Sequence, residues 1–93
     1  MHNLSALETT LRANAADEPD LAWDLSADST SVGVNAATKV GHADADKALA
    51  DAKILLQLVE DAGFRMRVGC VSASFDEGIW RGRLIDVVLD PVD

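Results

Sequence analysis

Residues 44–63 read DADKALADAKILLQLVEDAG and run directly into the alternating stretch FRMRVGCVSASFDEGIWRGRLIDVVLD at residues 64–90. In the first stretch the apolar side chains recur on one arc at helical spacing: Ala45, Ala48, Leu49, Ala52, Leu55, Leu56, Val59 and Ala62. The opposite arc is charged or polar, which is typical of an amphipathic helix. Asp44 is suited to cap the start of this helix and Gly63 to end it. The sequence therefore predicts a long helix followed at once by a β-hairpin, and together they supply most of the core.

The hairpin is predicted to close through the three-residue loop 76–78, because Gly78 adopts the left-handed conformation without a steric cost. The pairs in this register are Phe75 with Ile79, Cys70 with Leu84 and Met66 with Val88. Cys70 then points inward and is expected to be a buried, inert thiol. Gly69 and Gly82 indicate bulges or bends in the two strands.

The first forty residues repeat this pattern on a smaller scale. A helix between Asn3 and Ala16 is predicted from three leucines on one face: Leu4, Leu7 and Leu11. Two alternating segments then form a hairpin around the turn 27–30, in a register that pairs Ser26 with Ser31, Leu25 with Val32, Trp23 with Val34 and Leu21 with Ala36. The element order is αββαββ. The predicted fold is α+β, with two helices packed on one face of a four-stranded antiparallel sheet.

Length and charge limit the classes of function. A chain of 93 residues with 48% hydrophobic and 26% charged residues fits one globular domain over 1–93. Sixteen acidic residues against eight basic ones give a formal net charge of −8. This charge disfavours direct binding to nucleic acid or an anionic membrane and favours a protein partner with a basic surface. The alternative is that the charge only keeps the protein in solution.

The compartment is predicted from the cysteine count and the hydropathy pattern. Cys70 is the only cysteine, which excludes an intramolecular disulfide and fits a reducing environment. No apolar run reaches the length of a membrane span, and no secretory signal is recognisable. We therefore expect a cytoplasmic protein. The six glycines do not approach the spacing of a nucleotide-binding loop, so no cofactor is predicted.

Charge is polarised along the chain, since residues 1–46 hold eight acids and two bases whereas residues 47–93 hold eight acids and six bases. The acidic candidates for a partner-binding surface are Asp17, Glu18, Asp20, Asp24 and Asp28. They form either a solvated negative face or a surface that imitates the phosphate row of nucleic acid. In the second case they would occlude a basic groove of another protein, as small phage-encoded inhibitors do.

Four arginines of the predicted hairpin point to one face in the predicted register: Arg65, Arg67, Arg81 and Arg83. Such a cluster suits a carboxylate, a phosphate or an acidic protein surface. The alternative is a solvent-facing sheet whose arginines pair with acids such as Glu77, Glu60 or Asp61. Trp80 lies beside the turn and is the aromatic side chain best placed for an interface.

No residue is predicted to be catalytic or to bind a metal. His42, Asp44 and Asp46 offer metal-ligand atoms, but their spacing does not match an EF-hand loop and suits the start of a helix. Ser72 and Ser74 lack the flanking glycines of a nucleophile elbow, and no triad is recognisable around His42.

The sequence thus favours a small acidic protein-binding module without catalytic activity. Two alternatives stay open. Residues 84–89 are apolar on both sides, which indicates an interior strand or an edge through which copies assemble into a homodimer or larger oligomer. An enzyme would need a pocket that gathers His42, an arginine and a carboxylate.

Overall fold

The computed structural model describes residues 4–16, 22–25 and 31–92. The chain is α+β, with elements in the order αββαββ. Their bounds are α1 Leu4–Asn14, β1 Ala22–Leu25, β2 Val32–Ala37, α2 Ala45–Asp61, β3 Phe64–Asp76 and β4 Ile79–Pro91. Both helices therefore form where apolar residues recur at helical spacing.

Helix α2 begins and ends at the residues that the sequence indicates. The Asp44 carboxylate accepts a hydrogen bond of 2.8 Å from the backbone amide of Asp46, which satisfies one of the free donors at the helix start. Gly63 follows the last turn with a φ of +101°, which glycine adopts without a steric cost. The buried face consists of Ala48, Ala52, Leu55 and Val59.

The sheet differs from the predicted one. Three antiparallel strands in the order β2-β4-β3 form the part of the sheet that carries the core, so the prediction of four full strands is wrong. With the short β1 included, the described strands follow the order β1-β2-β4-β3. β1 adds only four residues, Ala22–Leu25, along the outer edge of β2. On its other edge β2 pairs with β4, where Val32 lies opposite Leu89 and Val34 opposite Val87. The long hairpin, rather than the first one, therefore organises the sheet.

Two narrower predictions about the strands are confirmed. Across β1 and β2, Trp23 lies opposite Val34 and Leu25 opposite Val32, as predicted, while Leu21 and Ser26 lie outside the described residues. Residues 84–89 belong to an interior strand, because β4 pairs with β2 on one side and with β3 on the other. Assembly through this strand therefore has no free backbone edge to use.

The turn between β3 and β4 is tighter than predicted. Asp76 pairs with Ile79, so the loop contains only Glu77 and Gly78, with φ angles of +52° and +86°. Two consecutive positive φ angles are typical of a type I′ turn. The three-residue prediction is wrong because it placed only glycine in the left-handed region, which glutamate seldom occupies. The other pairs move by one residue: Phe75 with Trp80, Cys70 with Ile85 and Met66 with Leu89.

A bulge in β3 changes the face that its side chains occupy. β3 holds one extra residue between Met66 and Val68, and β4 holds one extra residue opposite Gly69, which has a φ of +115°. One extra residue in a strand moves the following side chains to the opposite face. Met66 consequently packs against the core while Cys70 is exposed, and the predicted buried thiol is wrong.

Both helices share one core with the sheet. Its buried members include Leu7, Leu11, Leu55, Val59, Val32, Val34, Phe64, Leu84, Val87 and Leu89. Helix α1 is also joined to the end of β2, because the backbone amide of Ala16 donates to the Ala37 carbonyl at 2.7 Å. The core lies on the helix-covered side of β3 and β4, and among the described residues no helix covers the opposite side of this hairpin.

Candidate protein-binding surfaces

The outer face of the hairpin is the side of β3 and β4 turned away from the helices. Val68 is 56% exposed there, and Cys70 is exposed as well. The four arginines of the hairpin also lie on this side: Arg65, Arg81 and Arg83 alternate with inward-facing residues, and Arg67 shares the bulge with Val68. The outer face therefore combines apolar and cationic groups.

The arginines do not form the single patch expected from the sequence. Arg65 lies opposite Asp90 and Arg83 lies opposite Ser72, seven positions further along β3. A strand rises about 3.3 Å per residue, which separates the two pairs of arginines by roughly 20 Å. Arg65 and Arg67 are at one end of the hairpin, and Arg81 and Arg83 approach the turn.

Arg67 and Arg81 are held by hydrogen bonds within the chain. Arg67 donates to both carboxylate oxygens of Asp90 at 2.9 and 3.1 Å and to the Ser31 hydroxyl at 3.0 Å. Arg81 donates to the carbonyl oxygens of Thr38 and Lys39 at 3.2 and 3.0 Å. The acid that pairs with Arg67 is Asp90, rather than Glu77, Glu60 or Asp61. Arg65 makes no ion pair with any residue in the described part of the chain.

The tip of the hairpin exposes an aromatic side chain that sequence reasoning missed. Phe75 is 59% exposed, and its ring lies 5.2 Å from that of the half-buried Trp80 at an angle of 58°. Trp80 is held by its backbone, which exchanges hydrogen bonds of 2.7 and 2.8 Å with His42. The available signal was the position of Phe75 near the turn, where the one-residue error in register concealed its pairing with Trp80.

The predicted acidic surface is only partly within the described residues. Asp17, Glu18, Asp20 and Asp28 lie outside them. Asp24 belongs to β1, where its backbone lies opposite Gly33. The five acids therefore stay predicted partner-binding residues.

A cavity of about 280 Å³ lies between the end of α1, the segment after β2 and the outer side of α2. Its lining consists of Ala13, Asn14, Thr38, Lys39, Val40, Asp51, Ile54, Leu55 and Leu58. Thr38 supplies the lining hydroxyl, which already accepts from the Gly82 amide at 3.0 Å and lies 3.4 Å from the Val40 carbonyl oxygen. Most of the cavity wall is therefore apolar, and its two charged side chains are Lys39 and Asp51.

His42 bonds to Asp51 at the rim of this cavity, with 2.6 Å between Nε2 and the carboxylate oxygen. Their side chains are 26% and 32% exposed. The contact ties the segment before α2 to the middle of that helix. Neither an arginine nor a free hydroxyl completes a catalytic group among the residues that line the cavity.

Within residues 4–16, 22–25 and 31–92, no three metal-ligating side chains come together, and neither helix is long and apolar enough to cross a bilayer. No protein family matches the chain, and comparison with curated proteins and with solved structures finds no match. The surfaces described above are therefore the basis for a functional proposal.

Proposed function

We propose that this chain is a small protein-binding module that acts by occupying a surface of another protein, without a reaction of its own. The observation that carries the proposal is the exposed Phe75 ring at the tip of the long hairpin. A large aromatic side chain gains much by leaving water, and such residues dominate the free energy of many protein interfaces.

The hairpin tip is held in place before any partner arrives. The Trp80 backbone is hydrogen-bonded to His42, and Arg81 binds the Thr38 and Lys39 carbonyls, so the segment after β2 supports β4 up to the turn. A surface that is already ordered loses little conformational entropy on binding. This support is what favours the tip over the other exposed apolar positions.

The partner we propose has a basic surface. A formal net charge of −8 speeds encounter with a cationic protein and slows encounter with an anionic one. In the finer version of the proposal, the acids between Asp17 and Asp28 imitate nucleic acid and the module is a phage-like inhibitor of a nucleic-acid-binding protein. The single cysteine fits action in the cytoplasm.

Affinity capture from host extract with matched variants tests the proposal. Phe75 and Ile54 are 59% and 58% exposed, but Ile54 lies on α2. A partner of the tip should be captured by the wild type and by Ile54→Ser, and its affinity for Phe75→Ser should fall about 30-fold, equivalent to about 2 kcal/mol. Captured proteins that bind all three chains equally would overturn the proposed surface.

A further inference from the structure

β3 is the edge strand of the sheet, and its second half offers an unpaired backbone. It is the last strand in the order β1-β2-β4-β3. Its pairing with β4 is irregular up to Cys70 and regular from Cys70 to Asp76. On the other side of β4 the segment 38–42 continues the pairing of β2, through hydrogen bonds from Thr38 to Gly82 and between His42 and Trp80. The open edge is therefore on β3.

The turn fixes which backbone groups of β3 point away from β4. The residues that flank a two-residue turn, here Asp76 and Ile79, form a hydrogen-bonded pair, and bonded and non-bonded pairs alternate from there. The amides and carbonyls of Val71, Ala73 and Phe75 consequently face outward. Among the described residues no backbone hydrogen bond joins them to another segment.

The composition of this edge lacks the usual protection against pairing. Residues 70–75 read CVSASF, with no charge and no proline. Exposed edges normally carry lysine, proline or a bulge, which prevent another strand from adding. Here the bulges precede Cys70, so the regular stretch is free to accept a strand.

Charges at the two ends of the edge define the occupant. Arg65 and Arg67 precede the uncharged stretch, and Asp76 and Glu77 follow it. When two copies of this edge lie antiparallel, the basic end of each meets the acidic end of the other, whereas parallel alignment opposes like charges. We propose that a second copy of this chain pairs with β3 in antiparallel fashion, with the two-fold axis at Ser72, to give one sheet that continues through both copies.

The geometry of the edge allows the axis at Ser72, and the charges select it because Arg67 of one copy then lies opposite Glu77 of the other. Outward-facing residues must oppose one another, so Val71 of one copy lies opposite Ala73 of the other as a hydrogen-bonded pair. Ser72 then faces its own copy across a non-bonded pair, where Cα atoms are about 4.5 Å apart. The contact uses backbone groups and leaves the faces of the sheet open. It is therefore independent of the proposed binding of a foreign protein through the Phe75 ring.

Sedimentation equilibrium of the full chain tests the contact. At about 100 µM, where a micromolar contact is saturated, the wild type should be a dimer and Ala73→Pro a monomer. The Ala73 amide faces outward, so proline there removes a bond between copies without breaking the pairing of β3 with β4. Ser72→Lys, which opposes two cations at the axis, serves as a second variant should Ala73→Pro not fold. A monomeric wild type, or a dimer that persists in both variants, would overturn the proposal.

Disulfide trapping tests the register. In a Cys70→Ser background, Ser72→Cys should form a covalent dimer under mild oxidation at least about tenfold faster than Ser74→Cys, because only residue 72 lies within disulfide distance of its own copy. Restoring Cys70 should make Ser74→Cys crosslink, since residues 70 and 74 oppose each other in this register. Equal rates for Ser72→Cys and Ser74→Cys without Cys70 would contradict the proposed axis.

Discussion

At Gly69 the backbone has a φ of +115°, and a β-carbon added there would lie 2.5 Å from the Val87 Cα. Gly78 has a comparable φ of +86°, but its added β-carbon would meet no atom within 4 Å. A side chain at either position is therefore strained by the positive φ angle. Of these two positions, only Gly69 would also bring the side chain into a steric clash with the neighbouring strand. The bulge at Gly69 depends on the absence of a side chain.

We expect Gly69→Ala to lower the free energy of unfolding by about 3 kcal/mol, because left-handed strain and overlap with β4 add together. Gly78→Ala should cost about 1 kcal/mol, the dihedral strain alone. Urea unfolding followed by circular dichroism measures both values. If both variants lost the same free energy of unfolding, the backbone near Val87 would have moved to accept the added methyl group without loss of stability.

The exposed residues of the hairpin were hard to predict because their faces depend on local backbone geometry. Alternation alone places Cys70 on the core side, but the extra residue of β3 between Met66 and Val68 moves it to solvent. Glu77 takes a positive φ that its residue type disfavours, and this shortens the loop by one residue. The Phe75 ring therefore comes to lie beside Trp80.

At the scale of elements, the close approach of α2 to β4 is set by a glycine. A β-carbon on Gly82 would lie 2.4 Å from the Ala48 carbonyl oxygen and 2.7 Å from the Ala52 β-carbon. The glycine thus marks a close contact between helix and sheet, whereas the sequence indicated a bulge or bend there. Small residues on both elements allow this contact.

Gly82→Ala should lower the free energy of unfolding by about 1–3 kcal/mol, because the added methyl group pushes α2 away from the sheet. Thermal unfolding monitored by calorimetry measures the loss. Ala50→Ser on the exposed side of α2 is the control and should change stability by less than about 0.5 kcal/mol. A stable Gly82→Ala variant would show that the helix shifts without loss of packing.

The helices and the pairing of β1 with β2 could be predicted because each depends on local patterns. Asp44 and Gly63 mark the ends of α2 by capping chemistry, and alternation aligns Trp23 with Val34. The three-stranded core sheet could not be predicted in this way. It depends on β2 pairing with β4, which lies about fifty residues further along the chain, and no local pattern records such a distant contact.

At the scale of the whole molecule, charge is expected to govern encounter more than final affinity. Reversal of Asp17, Glu18 and Asp20 to lysine should slow association with a basic partner, and the wild-type association rate should fall between low and physiological salt. Stopped-flow mixing at two salt concentrations measures both effects. A rate that does not depend on salt would argue against electrostatic steering and against the nucleic-acid-mimic version of the function.

The central claim is that the hairpin tip docks on another protein, and site-specific photocrosslinking in living host cells tests it most directly. A photoreactive phenylalanine analogue replaces Phe75 in one variant and Ile54 in another, at positions of nearly equal exposure on different elements. The account predicts a discrete covalent adduct with a foreign protein from position 75 and none from position 54. The same adducts from both positions, or none from position 75, would contradict it.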